Sequence, residues 1–192
     1  MDSREAIMEA AISLIEEKGE RLEDITVREI CKRANVGLGL VNYHFGNKDR
    51  LIELCIERII NGIVEQFRAM GDTAAGTTPF EKLEYLGELT LTFLFEHDAV
   101  SKISMLTDMR APTEDDNTSR TYRAYLPLVA ACRPDWDQST VERKTFCLIA
   151  VMQQSFLRRQ MILRTQGVDL TKADQRRAFH TQMLRDLLEV QP

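Results

Sequence analysis

A short segment near the N-terminus, residues 26–51, restricts the possible folds more than any other part of the chain. Thr26 stands three residues before Glu29, a spacing typical of the capping box that starts a helix. An amphipathic run follows, then the corner Asn35-Val36-Gly37, then a second short segment, Leu38–Phe45. Two short helices that meet at a glycine-containing corner are typical of a helix-turn-helix. We therefore expect this motif over residues 26–45.

The rest of the chain shows helical periodicity and no sustained strand alternation. Apolar residues recur at helical spacing in each segment, and the segments are bounded by Gly, Pro, Asn or capping residues. The predicted helices cover about 3–18, 27–34, 38–45, 48–70, 79–95, 99–110, 122–132, 139–165 and 172–190. The pattern predicts an all-α fold with a three-helix N-terminal domain over 1–47 and a helical domain over 48–192.

Charge is distributed unevenly in an acidic protein whose formal net charge is −5. Residues 1–25 contain three Lys/Arg against eight Asp/Glu, whereas residues 26–50 contain five against two, a local net charge of +3. A short positive stretch in an acidic chain is a candidate electrostatic surface for a polyanion. A globally basic nucleic-acid binder is excluded.

Several functional classes find no support in the residues. The four cysteines and three histidines show no metal-ligand spacing, and no nucleophile motif or phosphate-binding glycine loop is present. We expect no metal, no cofactor and no enzymatic activity. The charged N-terminus lacks a signal-peptide core, and the longest apolar run, Phe146–Met152, is too short for a bilayer. We expect a cytoplasmic protein without membrane association.

The second helix of a helix-turn-helix enters the DNA major groove, where base edges distinguish all four base pairs. On Leu38–Phe45 the outward positions are predicted to read bases, and Asn42 is the best specific reader because a carboxamide pairs in bidentate fashion with adenine. Arg28 is expected to reach a guanine or a phosphate. The predicted base-reading residues are Leu38, Gly39, Asn42 and Tyr43, and the predicted phosphate contacts are Thr26, Tyr43, His44 and Lys48. The alternative is a helical corner whose charges are simply solvated.

The residues of this segment resemble a known family. The runs Ala34-Asn35-Val36-Gly37 and Tyr43-His44-Phe45, followed by Lys48 and Leu51, closely resemble the signature of TetR-family transcriptional regulators. The resemblance covers about the first 60 residues. It implies a homodimeric regulator that binds a palindromic operator in double-stranded DNA and, as a repressor, is released by a small molecule.

Three positions depart from the family pattern. Gly37 stands where a serine usually caps the recognition helix, Leu40 where a threonine or serine often contacts phosphate, and Asn42 where tyrosine is frequent. The resemblance therefore implies that Leu40 is also a DNA-contact residue, with an apolar side chain in place of a hydroxyl. These departures leave open a helical ligand-binding or interaction protein that has lost DNA readout.

The last two long helical patterns predict a dimer interface. Phe146–Met152 carries no charge over about two turns, so that helix is apolar on all sides, and one of its faces needs a partner. A pair of such helices in each of two copies forms a four-helix bundle across a two-fold axis. The predicted interface residues are Phe146, Ile149, Val151, Phe179, Met183 and Leu187. The alternative is that both helices are interior to a monomer.

Aromatic and methionine residues crowd the segment between about residues 80 and 160, with a few polar groups among them. Apolar walls with few polar anchors are typical of a small-molecule site, here for an apolar or amphipathic effector. The candidate lining residues are Tyr85, Phe93, His97, Met105, Met109, Tyr122, Tyr125, Gln153 and Phe156. Ordinary core packing is the alternative for each of them. A further alternative function is redox sensing through Cys31 or Cys55 beside the helix-turn-helix.

Overall fold

The computed structural model describes residues 2–18, 24–71 and 78–189, with side chains throughout these ranges except at 63–71. Within the described residues the chain forms ten α-helices and no strand, which confirms the predicted all-α class. The helices are α1 (Ser3–Lys18), α2 (Val27–Ala34), α3 (Gly39–Phe45), α4 (Lys48–Gly71), α5 (Pro79–Glu96), α6 (Asp98–Arg110), α7 (Asn117–Cys132), α8 (Gln138–Leu157), α9 (Arg159–Gln166) and α10 (Ala173–Leu188).

The chain divides into two compact units. The first contains Met1–Gln66 and His97–Leu106, and the second contains Phe67–Glu96 and Thr107–Pro192. As a packing unit the first extends past residue 47, because apolar side chains of α4 are buried in the same core as those of α1. A functional division at residue 47 stays a prediction.

The first unit has one apolar core, to which α1, α2, α3, α4 and α6 all contribute. Burying a large aliphatic side chain stabilises a fold by about 1.5–3 kcal/mol, so this core holds the short helices that could not form alone. Its buried members are Ile7, Met8, Ala10, Ala11, Leu14, Ile15, Ile25, Ile30, Cys31, Val41, Phe45, Leu51, Ile52, Cys55, Ile56, Ala99 and Val100.

The start of α2 has the capping box expected from the sequence. The Thr26 hydroxyl accepts a hydrogen bond from Glu29 N at 3.2 Å, and Glu29 Oε2 accepts one from Thr26 N at 3.0 Å. Ile25 and Ile30, on either side of the cap, are both fully buried, as a hydrophobic staple requires. The box thus sets the direction in which the chain enters the helix-turn-helix.

Asn35 forms the corner between α2 and α3. It adopts a left-handed conformation with φ 53° and ψ 47°, and Val36 N donates to Cys31 O at 3.0 Å. Asparagine is among the few residues with a side chain that commonly adopt this region, so Asn35 ends α2 without a glycine. Gly46, with φ 80°, ends α3, and Asn47 Oδ1 then accepts from Arg50 N at 2.8 Å to cap α4.

The second unit is organised around α5. Leu83, Leu86, Leu91 and Leu94 are buried, and α5 contacts α7, α8 and α10. Thr78 and Glu81 form a second capping box at its start. Tyr125 of α7 is buried and donates from its hydroxyl to Thr90 Oγ1 at 2.8 Å.

The helix predicted over 139–165 is wrong as a single element. It breaks at Arg158, which has ψ 24° and separates α8 from α9. Phe156 and Ile162 are both buried. Residues six apart lie about 120° apart around a continuous helix, so the break lets both side chains face the core.

Two other helix bounds differ from the predictions. Helix α7 begins at Asn117 and not at Tyr122, because Asp116 Oδ1 accepts from Ser119 N at 2.7 Å and caps it earlier. Helix α10 ends at Leu188, and residue 190, the predicted end, lies outside the described residues.

Candidate functional site

Helix α3 exposes one face and buries the other. Val41 and Phe45 are 0% and 6% exposed and hold the helix against the core of the first unit. On the opposite side Tyr43 is 81% exposed, and Gly39 and Asn42 are exposed as well. Leu38, which precedes the helix, is 54% exposed. Large apolar side chains with such exposure in a well-packed unit mark a surface available to a partner. The four predicted base-reading residues are therefore all accessible from solvent.

The cations beside this face differ in whether a carboxylate already neutralises them. Arg33 Nη1 lies 2.5 Å from Glu17 Oε1, and Arg50 pairs with Glu53 at 3.0 Å. Arg28 and Lys32 are exposed and make no ion pair within the described residues. Arg28 and Lys32, both on α2, are therefore readily available to an incoming anion.

Three of the predicted phosphate contacts already bond within the protein. The Thr26 hydroxyl belongs to the capping box. His44 Nε2 lies 2.8 Å from the Ser3 hydroxyl, which joins α3 to α1. Lys48 is half-buried, and its ammonium donates to Ile25 O at 3.1 Å. These contacts give the three residues positioning roles whether or not they also meet phosphate.

Gly37 and Leu40, which depart from the family pattern as Asn42 does, lie at the start of α3. Leu40 is half-buried and packs on the core of the first unit, so its side chain stabilises the helix from below. The N-cap, Leu38, makes no side-chain hydrogen bond, and Leu40 N donates to the Gly37 carbonyl at 3.1 Å. Helix α3 therefore starts without the side-chain cap that a serine would supply.

The thiols beside the helix-turn-helix are poorly suited to redox sensing. Cys31 and Cys55 are both buried, and burial raises the pKa of Cys31 and raises that of Cys55 to about 12. The thiolate is the reactive form of cysteine, so both side chains behave as small apolar residues. This disfavours the redox alternative.

The predicted pocket residues lie in both units. His97 and Met105 belong to the first unit and the other seven to the second. Tyr125 and Phe156 are buried in packed contacts, and Gln153 donates to Thr118 Oγ1 at 2.9 Å. Tyr85 and Met109 are exposed. None of the nine lines either of two cavities in the second unit that involve α5 and α10, and their role as a pocket stays a prediction.

The predicted dimer residues differ in how far a single chain already buries them. Phe146 is 67% exposed on α8, next to the exposed Cys147. Val151, Phe179 and Leu187 are half-buried. Ile149 and Met183 are buried within one chain, at 4% and 9% exposure, so they pack in its own core.

Two polar side chains that the sequence interpretation missed meet at a cavity in the second unit. Arg176 and His180 of α10 are 8% and 2% exposed and line both cavities. Leu184 and Leu188 continue the same row at four-residue spacing and are fully buried. That spacing was the available signal, because it places Arg176 and His180 on the apolar face of their helix.

The described residues offer neither a metal site nor a membrane-spanning helix. Among the described residues no group of His, Cys, Asp and Glu side chains is arranged to hold a metal ion. In the same residues no helix combines the length and apolarity needed to cross a membrane.

Comparison with known proteins gives matches to the helix-turn-helix region and to the whole fold. Residues 7–55 match the family described as bacterial regulatory proteins, tetR family. An HTH-type transcriptional regulator of Staphylococcus aureus is 32% identical over 72 residues, 38% of this chain and 38% of that protein. The HTH-type transcriptional regulator BetI 1 of Chromohalobacter salexigens is 35% identical over 57 residues, 30% of this chain and 27% of that protein. The chain thus spans well under half the length of these curated relatives.

The solved structures resemble the chain over almost its full length. A TetR-like transcriptional regulator from Rhodococcus sp. RHA1 has a TM-score of 0.60 at 16% identity and covers 97% of this chain and 93% of its own. A second transcriptional regulator from the same source has a TM-score of 0.58 at 16% identity, with full coverage of both chains. At such low identity these likenesses show a shared fold. Residues 7–55 are thus similar in sequence to the tetR family of bacterial regulatory proteins, and the chain as a whole shares the fold of TetR-like regulators.

Proposed function

We propose that this protein is a homodimeric transcriptional regulator that binds a palindromic operator in cytoplasmic double-stranded DNA and acts as a repressor released by a small molecule. The observation that carries the proposal is the open face of α3, with Leu38, Gly39, Asn42 and Tyr43 exposed while Val41 and Phe45 anchor the helix. A helix held in this way fits the major groove, which is wide enough for one α-helix.

The charge around α3 supports the same proposal. Arg28 and Lys32 project from α2 without an ion pair in the described part of the chain, so they can neutralise phosphates on either side of the groove. Two carboxylates of the first 25 residues are neutralised by arginines, Glu17 by Arg33 and Glu5 by Arg58. An acidic protein can therefore present a locally positive face to DNA.

The proposal of a dimer rests on α8 and α10. Phe146 is exposed, and Val151, Phe179 and Leu187 are accessible in part, so these four side chains suit an interface between two copies. Two-fold symmetry would present two copies of α3 to two half-sites about one helical turn apart.

Release by a ligand requires that the ligand bind the conformation incompetent for DNA more tightly than the competent one. Helix α4 begins in the first unit and ends in the second. We therefore propose that it transmits the effect of a ligand bound in the second unit to the helix-turn-helix.

The experiment that tests the proposal is a gel-shift titration of the full-length protein with DNA that flanks its own gene. We expect binding that survives an excess of random DNA and falls steeply as salt rises, because counterions are released from the phosphates. Equal affinity for flanking and random DNA would favour the alternative of a helical protein that has lost DNA readout.

Replacement of Asn42 by Ala is expected to relax the preference at one base position in each half-site. Asn42 is exposed on the open face of α3, and a carboxamide paired with adenine contributes roughly 1–3 kcal/mol of discrimination. Alanine favours the helix, so the fold is retained. Binding to a library of operator variants measures the effect. A uniform loss of affinity for all sequences would show that Asn42 does not read a base.

Replacement of Lys48 by Ala is expected to weaken binding to every sequence alike and to make the salt dependence shallower by about one phosphate contact. It should also lower the free energy of unfolding by about 1 kcal/mol, since a charged hydrogen bond to Ile25 O is lost from a half-buried site.

Arg50→Ala is the matched control for Lys48. Arg50 lies two residues further along α4, is exposed and pairs only with Glu53 in the described residues, so its loss should change stability by less than about 0.5 kcal/mol. Unchanged stability in Lys48→Ala would show that the bond to Ile25 does not hold the first unit together.

A further inference from the structure

The first turn of α1 lies against the C-terminal end of α3. The Ser3 hydroxyl is 2.8 Å from His44 Nε2. The guanidinium of Arg4 lies over the Phe45 ring, with its central carbon 5.3 Å from the ring centroid. The His44 ring in turn contacts the ring of Tyr43 at a centroid distance of 4.9 Å, and Tyr43 is 81% exposed. The start of α1 therefore borders the part of α3 that is open to a partner.

Backbone contacts and core packing hold this turn in place. Asp2 Oδ1 accepts a hydrogen bond from Arg4 N at 3.3 Å, and Asp2 O accepts one from Ala6 N at 3.0 Å. Ile7, one turn after Arg4 on the same helix, is fully buried in the core of the first unit. The backbone of Arg4 is therefore fixed beside α3, and only the long side chain has freedom to adjust to a partner.

Arg4 is a cation that no carboxylate neutralises. It is exposed, and its guanidinium makes neither an ion pair nor a hydrogen bond with any residue that the structure describes. The neighbouring carboxylate, Glu5, is occupied by Arg58 at 2.5 Å, and that hydrogen bond lowers the pKa of Glu5. Arg4 thus stays available to an anion although the first 25 residues carry a net charge of −5.

The contact with Phe45 positions the guanidinium without consuming its charge. A cation over an aromatic ring is attracted by the ring quadrupole and needs no anion for that contact. Arginine also has five N–H donors in a planar fork, which suits the paired oxygens of a phosphate. Arg4 is therefore held in place by an uncharged neighbour while its hydrogen-bonding capacity is left for another molecule.

The location of Arg4 favours a DNA phosphate over a base edge. An α-helix with its side chains is about 10–12 Å wide and the major groove is about 12 Å wide, so phosphates run close beside a helix that lies in the groove. Phe45 belongs to the face of α3 that packs on the core and is only 6% exposed. A guanidinium over Phe45 lies beside α3, away from the exposed face that would meet the bases.

We propose that Arg4 binds a backbone phosphate of the operator beside the C-terminal end of α3, which makes the first turn of α1 part of the DNA-binding surface. The proposal deepens the proposed function, on which it rests, by adding a contact from outside the helix-turn-helix. Because Ser3 and Arg4 both contact α3, this arginine and the predicted base-reading residues reach the DNA as one packed unit.

A gel-shift titration of the full-length Arg4→Gln protein, with the DNA that flanks its own gene, tests the contact. We expect binding to weaken about tenfold at low salt, because a charge-assisted hydrogen bond is lost from each half-site. The plot of log affinity against log salt should become shallower by about 0.9 for each phosphate that is no longer neutralised. Unchanged affinity and an unchanged slope would overturn the proposal.

Binding to a library of operator variants separates a phosphate contact from a base contact. Arg4→Gln should weaken every variant alike, since a phosphate carries no sequence information. This differs from the loss at one base position that is expected for Asn42→Ala. A change of preference at one position in Arg4→Gln would show that Arg4 reads a base and would refute the assignment to phosphate.

Three further variants control for charge and stability. Arg4→Lys keeps the charge and should retain the salt slope. Arg123→Gln changes the net charge equally in the second unit, where Arg123 pairs with Asp115, and should leave affinity within about twofold. If Arg4→Gln is unfolded by circular dichroism, Arg4→Met, whose chain keeps an apolar contact with Phe45, takes its place with the same expected slope. A weaker affinity with an unchanged slope would mean that Arg4 only covers Phe45.

The unaltered protein in the same titrations separates this proposal from the proposed function. Specific binding whose slope is the same in Arg4→Gln would retain the regulator and reject the Arg4 contact. Equal affinity for flanking and random DNA would reject sequence-specific regulation, while a shallower slope of Arg4→Gln on random DNA would still support the phosphate contact. Absence of binding to either DNA would reject both.

Discussion

Gly87→Ala should lower the free energy of unfolding by about 2 kcal/mol. A methyl group built at Gly87 of α5 would lie 1.8 Å from His180 Cε1 and 2.1 Å from Nε2, far inside van der Waals contact. His180 is 2% exposed, so its ring has little room to retreat. Overpacking of this kind typically costs about 1–3 kcal/mol, more than the roughly 1 kcal/mol that alanine contributes to a helix over glycine.

The same substitution at Gly62 of α4 is the matched control and should have the opposite sign. Gly62 is exposed in the middle of its helix, and a methyl group there meets no atom within 4 Å. Gly62→Ala should therefore raise the free energy of unfolding by about 0.5–1 kcal/mol. Urea unfolding followed by circular dichroism measures both variants.

A second substitution, at His180, identifies the cause of the stability loss expected for Gly87→Ala. His180→Ala should destabilise on its own by leaving a cavity, but Gly87→Ala should cost much less in its presence, with a coupling of about 1–3 kcal/mol. If the two effects are additive, Gly87 does not pack on the imidazole. A stabilising Gly87→Ala would lead to the same conclusion.

The N-terminal motif could be predicted from sequence because its determinants are local. The Thr26–Glu29 capping box, the Asn35 corner and the Asn47 cap each depend on residues within five positions of one another. Such signals act through backbone geometry, which is the same in any protein. The family signature lies in the same stretch, so it could be recognised there.

The roles of single side chains in that motif were less predictable. Lys48 donates to Ile25 O, 23 positions away, and His44 contacts Ser3, 41 positions away. Spacing along one helix cannot show such partners, because they depend on how helices pack. Helix-turn-helix geometry assigned both residues to DNA phosphates, whereas the structure also gives each of them a partner inside the first unit.

The second unit was still harder to interpret from sequence. Aromatic and methionine content drew attention to residues such as Tyr125 and Phe156, which prove to be packed in the interior. Arg176 and His180 were missed because charged and polar residues are usually exposed. The burial of His180 depends on Gly87, 93 positions earlier, whose missing side chain makes room for the imidazole. A glycine within a helical pattern does not reveal what lies against it.

The pKa of His180 makes the stability of the protein depend on pH between about 7 and 4. Burial lowers the pKa to about 4 in the folded protein, against about 6.5 in the unfolded chain. Between these values the unfolded chain binds more protons, so stability is retained above pH 6.5 and lost as the pH falls. At pH 5 the expected loss relative to pH 7.5 is about 2 kcal/mol. Urea unfolding at a fixed protein concentration across this range measures it.

His180→Leu is the control, because leucine has a similar volume and does not titrate. Of the charged groups at the cavity, Arg176 and Arg177 stay protonated throughout the range, and Glu88 is bonded to Arg177. The other titratable groups of the protein are common to both variants, so the difference between them isolates His180. The variant should lose about 2 kcal/mol less than the parent protein between pH 7.5 and pH 5. Parallel stability curves would show that water reaches the imidazole in solution and that His180 is not held neutral in the fold.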